Sequence, residues 1–488
     1  MGNSPLVHTA SIHILDDDSF FNIFYFYRQV LIDEDDSEDY EVRLAGGWAW
    51  YHERWWYKLA HVCQRWRNLI LGAASYLGIC LVCTNGTPVV EMLAHSPPLP
   101  LVIDYNDEDL DIAAEDEEGI VLALKQRDRV RRVRFGPGIP VPILRKLVMA
   151  IDEEYPILEY LIMGPTIEDS MALRLPTTFQ APHLRHLTLL GFTLLLRSRL
   201  LTTAVSIVSF SLFMNNPSTY FEPNTLLHWI SFMPQLETLM IGFSFPIPNR
   251  DVARQLAHTP PIILPNLRYF GLHSVCAYLE EVVRRITAPR LEKLQIELFK
   301  QLTFSIPRLL QYMNTTETLR FDSAELEFFD ERVLVEMYSR EYETRGFSTR
   351  VYCWHLDWQV SSVAQILSAL SQTFSAVEHL SLEHEEHSQS SEGHNEVDRA
   401  EWRKVLNSFR NVKTLHIDDG LVNGLSRCLR LEDGEHPLEL LPELQDLTYS
   451  SSGSNNAGDA FASFIDSRQN AGRPVTLLGY GKEPINAV

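Results

Sequence analysis

Apolar residues recur along most of this chain with a single spacing, in which a second apolar residue follows the first by three positions and a third follows by two. The strict copies of this pattern are Leu158/Leu161/Met163, Leu184/Leu187/Leu189, Leu236/Leu239/Ile241, Leu267/Phe270/Leu272, Leu291/Leu294/Ile296, Val351/Trp354/Leu356, Val377/Leu380/Leu382, Val412/Leu415/Ile417 and Leu444/Leu447/Tyr449. A repeated unit buries its apolar side only by stacking on its neighbours. The pattern therefore predicts a repeat protein.

Looser copies and a shared proline support the repeat. The looser copies are Val130/Val133/Phe135, Ile207/Phe210/Leu212 and Thr316/Leu319/Phe321. A proline stands two residues before the first apolar position in several copies, at Pro156, Pro182, Pro234, Pro265, Pro289 and Pro442. Because proline cannot donate a hydrogen bond inside a helix, we expect it to end a helix or to begin the short strand that follows.

The segments between copies have the spacing of helices. Residues 275–286, 363–370 and 402–409 place apolar side chains three and four positions apart, as on one face of a helix. The alternation inside each copy fits a strand with one buried face. Residues 96–488 resemble a leucine-rich-repeat solenoid, and this resemblance implies an α/β fold with an inner parallel sheet and outer helices.

The first 95 residues have the periodicity of helices instead. The acidic run Asp16–Asp18 and Ser19 suit a helix N-terminus, and Phe20, Phe21, Ile23, Phe24 and Phe26 follow. A second helix is predicted over residues 55–70. On that helix the spacing would place Leu59, Val62, Cys63, Trp66 and Ile70 on one face.

This segment resembles an F-box, whose pattern runs Leu-Pro-x-Glu-x-Leu-x-x-Ile-Phe and later Leu-x-x-Val-Cys-x-x-Trp-Arg. Matches to the first half are Leu15, Phe20, Ile23 and Phe24, and matches to the second half are Leu59, Val62, Cys63, Trp66 and Arg67. Asp16 replaces the proline, and residues 28–54 insert an acidic segment between the halves. The arrangement is similar to F-box-like proteins of mushroom-forming fungi. On the helical pattern alone, an ordinary cap on the end of a solenoid remains an alternative.

The F-box resemblance implies a substrate-recognition subunit of a cullin-RING (SCF-type) ubiquitin ligase. The F-box would bind the Skp adaptor, the repeats would bind the target protein, and other subunits would carry out the chemistry without a cofactor on this chain. The implied adaptor-binding residues are Leu15, Phe20, Ile23, Phe24, Leu59, Val62, Cys63 and Trp66. Two alternatives stay open: a leucine-rich-repeat scaffold with a degenerate F-box, and an enzyme whose site has no recognisable motif.

Net charge limits the classes of partner that the chain is expected to bind, and cysteine content indicates its compartment. The 64 acidic and 42 basic residues give a formal charge of −22, which disfavours nucleic acid because phosphate binding needs a basic surface. Six cysteines without framework spacing indicate a reducing compartment, cytoplasmic or nuclear. Residues 200–221 carry no charge, but their polar residues and Pro217 favour a buried strand over a membrane span.

Two clusters resemble metal sites but lack the necessary spacing. Cys80 and Cys83 form a C-x-x-C without a second pair, in an apolar run that predicts buried thiols. His384, His387 and His394 accompany glutamates, but the order His-Glu-Glu-His does not place two histidines four apart. The sequence therefore predicts neither a metal site nor a catalytic residue.

Acidic residues follow the last apolar position in successive copies of the C-terminal half. These residues are Glu297, Asp322, Asp357, Glu383 and Asp418. If each one ends an inner strand, neighbouring carboxylates would repel one another unless cations intervene. The sequence thus predicts a target segment rich in lysine or arginine. The alternative is that the strands end earlier and the acids are ordinary loop residues.

Overall fold

The fold is mixed α/β, as the sequence predicts, and its largest sheet is mostly parallel. The computed structural model describes residues 15–33, 54–105, 114–136, 139–164, 173–195, 198–244, 261–298, 305–316, 318–341, 344–384, 399–431, 436, 438–451 and 460–481. Most of the acidic insertion predicted at 28–54 lies outside them. The chain divides into two compact units, Met1–Ile207 and Val208–Val488.

The first unit combines N-terminal helices with a parallel sheet of order β1-β2-β3-β4-β6. Its helices are α1 (Asp17–Asp33), α2 (Trp55–Ala60), α3 (Gln64–Gly72), α4 (Ala74–Leu77), α5 (Val89–His95), α6 (Ala114–Leu124), α7 (Val141–Ala150) and α8 (Arg199–Thr203). Its strands are β1 (Leu81–Cys83), β2 (Leu101–Tyr105), β3 (Val130–Phe135), β4 (Tyr160–Met163), β5 (Leu173–Arg174), β6 (His186–Leu190) and β7 (Phe192–Thr193). Strands β5 and β7 form a separate parallel pair.

In the second unit, most strands alternate with helices. The strands are β8 (Ser209–Met214), β9 (Thr238–Phe243), β10 (Ile262–Ile263), β11 (Tyr269–Ser274), β12 (Ile286–Thr287), β13 (Lys293–Leu298), β14 (Ser323–Phe328), β15 (Arg332–Ser339), β16 (Thr344–Tyr352), β17 (His379–His384), β18 (Thr414–Ile417), β19 (Asp446–Ser451) and β20 (Thr476–Gly481). The helices are α9 (Pro223–Ile230), α10 (Cys276–Val283), α11 (Pro307–Thr315), α12 (Leu356–Ala369), α13 (Ser371–Phe374), α14 (Arg399–Asn407), α15 (Asp419–Leu429) and α16 (Ala462–Asn470), with a 3₁₀ turn at Pro217–Thr219. The main sheet of this unit has the order β8-β9-β11-β13-β16-β15-β14-β17-β18-β19-β20, and β10 pairs with β12.

The repeated apolar positions form the core, and neighbouring copies pair in register. Leu239 lies opposite Phe270, which in turn lies opposite Leu294, and all three are fully buried. The same alignment joins Leu380, Leu415 and Leu447. Each fully buried aliphatic side chain contributes about 1.5–3 kcal/mol by leaving water. The positions that define the repeat in the sequence are therefore also positions whose burial stabilises the fold.

The prediction is wrong between residues 316 and 356, where an antiparallel hairpin interrupts the parallel order. Strand β15 pairs antiparallel with both β14 and β16, and β16 lies beside β13. In this register Phe347 lies opposite Leu294 and is buried, whereas Trp354 is 53% exposed. The copy predicted at Thr316/Leu319/Phe321 is displaced as well. The strand that follows aligns Ala324 with Leu380.

The helix predicted over residues 55–70 is also wrong in one respect, because it breaks into α2 and α3. Cys63 precedes α3 with an extended backbone (φ −161°, ψ 169°), which no helix interior allows. Trp66 and Ile70 point into the core, whereas Val62 is 58% exposed. The predicted face is therefore divided: Leu59 lies on α2, Val62 and Cys63 lie between the helices, and Trp66 and Ile70 lie on α3.

The uncharged stretch 200–221 contains a buried strand, as predicted. Phe210, Leu212 and Met214 of β8 are almost completely buried. Among the helices in the described part of the chain, none combines the length and the apolar content that crossing a bilayer would require.

Candidate functional site

Three aromatic rings join the two halves of the F-box-like segment. The rings of Phe20 and Phe24 on α1 lie edge-on to the indole of Trp66 on α3, with centroid distances of 5.5 and 5.3 Å. All three side chains are buried. Aromatic pairs in this geometry contribute about 0.5–1.5 kcal/mol beyond their burial. These residues of the predicted adaptor-binding set therefore pack the helices together rather than face a partner.

Polar contacts fix the start of α1 against α3. Asp16 caps the helix, since its Oδ1 accepts from the backbone N–H of Ser19 at 2.7 Å. Hydrogen bonding by the Ser19 side chain, and then by its backbone N–H, lowers the pKa of Asp16. The guanidinium of Arg65 contacts Asp17 Oδ1 at 2.7 Å and lies 4.7 Å from the centre of the Phe20 ring. The residue that replaces the proline of the F-box pattern thus has a local structural role.

The rest of the predicted set lies at the surface or near it. Leu15, Ile23 and Val62 are exposed, while Leu59 and Cys63 are partly buried. The predicted set leaves out three further exposed aromatic side chains of the same segment, Tyr25, Phe26 and Tyr76. Ile23 and Phe26 are three residues apart on α1 and so share one side of it. We call Leu15, Ile23, Phe26 and Val62 the exposed apolar set.

The C-x-x-C pair is buried, as the sequence predicts. Cys80 and Cys83 lie around strand β1 and are at most 1% exposed. Burial raises the pKa of the Cys83 thiol to about 12, so that it stays protonated at neutral pH. The indole N–H of Trp56 donates to the carbonyl of Cys80 at 3.1 Å and ties α2 to this strand.

Glu297 is the centre of a hydrogen-bonded network on the sheet of the second unit. Its strand buries Leu294 and Ile296, so that Gln295 and Glu297 point to the opposite face, which we call the polar face. Arg350 Nη1 lies 2.5 Å from Glu297 Oε1, and His273 Nδ1 lies 3.5 Å from Glu297 Oε2. Burial is the main cause that lowers the pKa of His273. Bases on both neighbouring strands therefore flank this acid.

Four more glutamates lie on strands next to one another. Glu325 pairs with Glu336, and Glu327 pairs with Glu383. Carboxylate oxygens of Glu325, Glu327 and Glu336 all lie within 4.8 Å of one another, a spacing at which oxygen ligands could hold a cation. The Ser381 hydroxyl donates to Glu383 at 3.1 Å. This part of the polar face concentrates negative charge.

Three members of the predicted acidic series occupy other positions. Asp322 precedes β14, where its carboxylate accepts from the backbone N–H of Arg340 at 3.1 Å. Asp357 lies in the first turn of α12, and Asp418 is the residue before α15. The prediction that Asp322 and Asp357 end inner strands is wrong, because the hairpin displaces the register of their copies. Asp418 directly follows the last residue of β18 and so stands at a strand end, as predicted. Glu297 and Glu383 do lie on strands of the sheet.

Of the three clustered histidines, His384 ends β17, while His387 and His394 lie outside the described part of the chain.

A groove of about 900 Å³ separates α12 from α14, and its lining includes Ser361, Ser368 and the ion pair of Lys404 with Glu401. Among the described residues that line this groove there is no histidine to activate a serine as a nucleophile.

Comparison of the sequence with protein-family models and with curated proteins finds no match.

Proposed function

We propose that this chain is the substrate-recognition subunit of an SCF-type ubiquitin ligase. In this proposal the N-terminal helices are an F-box that binds a Skp-type adaptor, and the repeats form a leucine-rich-repeat solenoid that binds the target. The chain supplies proximity and orientation while other subunits supply the chemistry. It would act in the cytoplasm or the nucleus.

The observation that carries the proposal is the division of the F-box-like residues into two groups. Phe20, Phe24 and Trp66 are buried between helices, whereas Ile23 on α1, Leu15 just before α1 and Val62 in the turn between α2 and α3 are exposed. Ile23 and Phe26 share one side of α1, and neighbouring exposed apolar side chains of this kind are typical of protein-binding surfaces. The repeats that follow pair in register, which supports a second surface for a different partner.

The alternative is a leucine-rich-repeat scaffold whose F-box no longer binds the adaptor. It is favoured by Asp16, which takes the place of the F-box proline and caps its own helix. The residues that define an adaptor interface would then serve only to close the end of the repeat array.

Capture of the full chain by a purified Skp-type adaptor distinguishes a ligase subunit from a scaffold with a degenerate F-box. The Ile23→Asp and Val62→Asp variants should lose capture, because a charge would be buried at the interface, while their unfolding temperature stays unchanged. Met149→Asp is the matched control, since Met149 is a similarly exposed apolar residue on α7. Full capture of both variants would leave the scaffold as the better description.

A further inference from the structure

Two tryptophans are exposed where strand β16 gives way to helix α12. Trp354 and Trp358 are each 53% exposed, whereas Trp229 and Trp402 are 1% exposed. Tryptophan is among the residues that contribute most to binding energy in protein interfaces. Two half-exposed indoles four residues apart therefore indicate a docking surface.

The backbone beneath these indoles is firmly held. Gln359, itself buried, donates its Nε2 protons to the carbonyls of Phe329 at 2.6 Å and Cys353 at 2.9 Å. The backbone N–H of Cys353 donates to the carbonyl of Glu331 at 2.9 Å. These bonds connect the β14–β15 turn, the loop after β16 and the first turn of α12. A partner would meet a surface that needs little ordering on binding.

The ring of His355 also restrains one indole. His355 is the residue before α12, and its ring meets that of Trp358 edge-on, with the centroids 5.0 Å apart. The indole plane is thus oriented before any partner arrives.

Charge around the indoles favours a cation. Asp357 lies between the two tryptophans in sequence, and the exposed Asp330 and Glu331 belong to the turn that Gln359 fastens. Residues 329–332 and 354–358 contain one arginine, Arg332, and no lysine. Its guanidinium already stands 4.6 Å from the centre of the Phe329 ring, which shows that this surface accommodates a guanidinium on an aromatic face.

The surface continues towards the glutamates of the polar face. Tyr352, two residues before Trp354, has its hydroxyl 3.5 Å from Glu297 Oε2. Beyond the adjacent strand β15 lie Glu327 and Glu383. A segment that placed one cation on an indole would find these carboxylates two and three strands away from β16 for its next cations.

We propose that Trp354 and Trp358 are the docking surface for an arginine- or lysine-bearing segment of a partner protein. A guanidinium or ammonium group packs on the indole faces by cation–π contact, and Asp357 and Glu331 attract it. That the partner is the target of a ligase rests on the proposed function. The docking surface itself does not rest on the proposed function, because it can bind a peptide without an adaptor.

The test measures fluorescence anisotropy of short labelled Gly-Ser peptides on the full chain. One peptide carries several arginines, a second carries lysines in their place, and a third carries uncharged citrullines. We expect the arginine peptide to bind, to bind more weakly at high salt, and to exceed the citrulline peptide. In Trp354→Ala/Trp358→Ala its affinity should fall about tenfold, whereas Trp354→Phe/Trp358→Phe should retain most of it.

The controls distinguish this surface from the general attraction of an acidic protein for a cation. Met149→Ala removes a similarly exposed apolar side chain in the first unit and should leave peptide affinity unchanged. Equal binding by the double alanine variant and the parent would show that net charge alone attracts the peptide, and would overturn the proposal. Equal binding of the citrulline peptide, or no binding of any peptide, would overturn it as well.

Discussion

Arg350 forms an ion pair with Glu297 across two strands that are 53 residues apart in sequence. The pair exists because the hairpin of β15 and β16 folds back and places β16, rather than β14, beside β13. Arg350 and Glu297 are directly opposite in this register, and their side chains are only 18% and 15% exposed. The ion pair can therefore form only when β16 lies beside β13, so that its presence tests this strand order.

Removal of Arg350 should destabilise the protein because Glu297 would keep a largely buried negative charge. We expect Arg350→Met to lower the free energy of unfolding by about 2 kcal/mol. The double variant Arg350→Met/Glu297→Gln should recover part of this loss, with a coupling energy of about 1 kcal/mol. Urea unfolding of the four proteins gives the coupling directly. Arg290→Met, at an exposed arginine, is the control, and a coupling near zero would contradict the pairing.

The register of β16 can be tested by comparing two aromatic residues. The sequence pattern places Trp354 in the core, whereas the structure buries Phe347 and exposes Trp354. Phe347→Ala should cost about 3–5 kcal/mol through the cavity it leaves, and Trp354→Ala less than about 1 kcal/mol. Thermal or urea unfolding measures both changes. A larger loss for Trp354→Ala would favour the pattern over the observed register.

The sequence predicts the parallel repeats well because their spacing is imposed by burial. Leu161, Leu187 and Leu239 had to be apolar for their strands to stack, and this requirement is visible without a structure. The hairpin could not be found in the same way. Phe321, Ala324 and Leu326 have the repeat spacing too, but Thr316, Leu319 and Phe321 match it five residues earlier. Only the pairing of Ala324 with Leu380 decides between them.

The same displacement explains the errors in the acidic series. With β14 in its observed register, the residue after the last apolar position is Glu327 rather than Asp322, and Glu327 pairs with Glu383. Glu325 and Glu336 come together only through the antiparallel pairing of their strands. Contacts between distant strands depend on topology, which a local pattern does not encode.

For the F-box-like segment, the sequence identified the helical regions but neither the break at Cys63 nor the role of each residue. Phe24 and Ile23 are adjacent and both apolar, yet one is fully buried and the other is 39% exposed. The difference arises from the position of α3, whose Trp66 covers Phe24. A mutation of Phe24 would therefore disturb the packing of the helices, so that of these two residues Ile23 is the one that can test an interface.

The cysteines should differ sharply in reactivity in the native protein. Cys63 is partly exposed, while Cys80 and Cys83 are buried and the pKa of the Cys83 thiol is raised to about 12. Because the thiolate is the reactive form, iodoacetamide at mildly alkaline pH should modify Cys63 well before the other two. Peptide mass spectrometry after short labelling measures the order. Unfolding in urea should equalise the rates, and rapid native labelling of Cys83 would contradict its burial.

His186 should make the first unit less stable in acid. Its ring stacks on Tyr160 with centroids 4.1 Å apart, and burial, followed by repulsion from Arg185 and Arg132, lowers its pKa from 6.5 to about 4. Glu159 acts in the opposite direction but is a weaker influence. In the unfolded chain His186 takes up a proton below about pH 6.5, whereas in the folded chain it does so only below about pH 4. The free energy of unfolding therefore falls as the pH decreases from 6.5 to 4.

We expect His186→Phe to remove about 2 kcal/mol of this acid-induced loss. The phenylalanine keeps the stacking on Tyr160 but cannot be protonated. The buried Asp104, whose pKa is raised to about 6 by burial, acts with opposite sign in the same range, so the relevant quantity is the difference between variant and parent. Urea unfolding at pH 7 and at pH 4.5 gives that difference, with His183→Phe, at an exposed histidine, as the control. If His186→Phe and its parent lose the same stability between these pH values, His186 is not held neutral by burial.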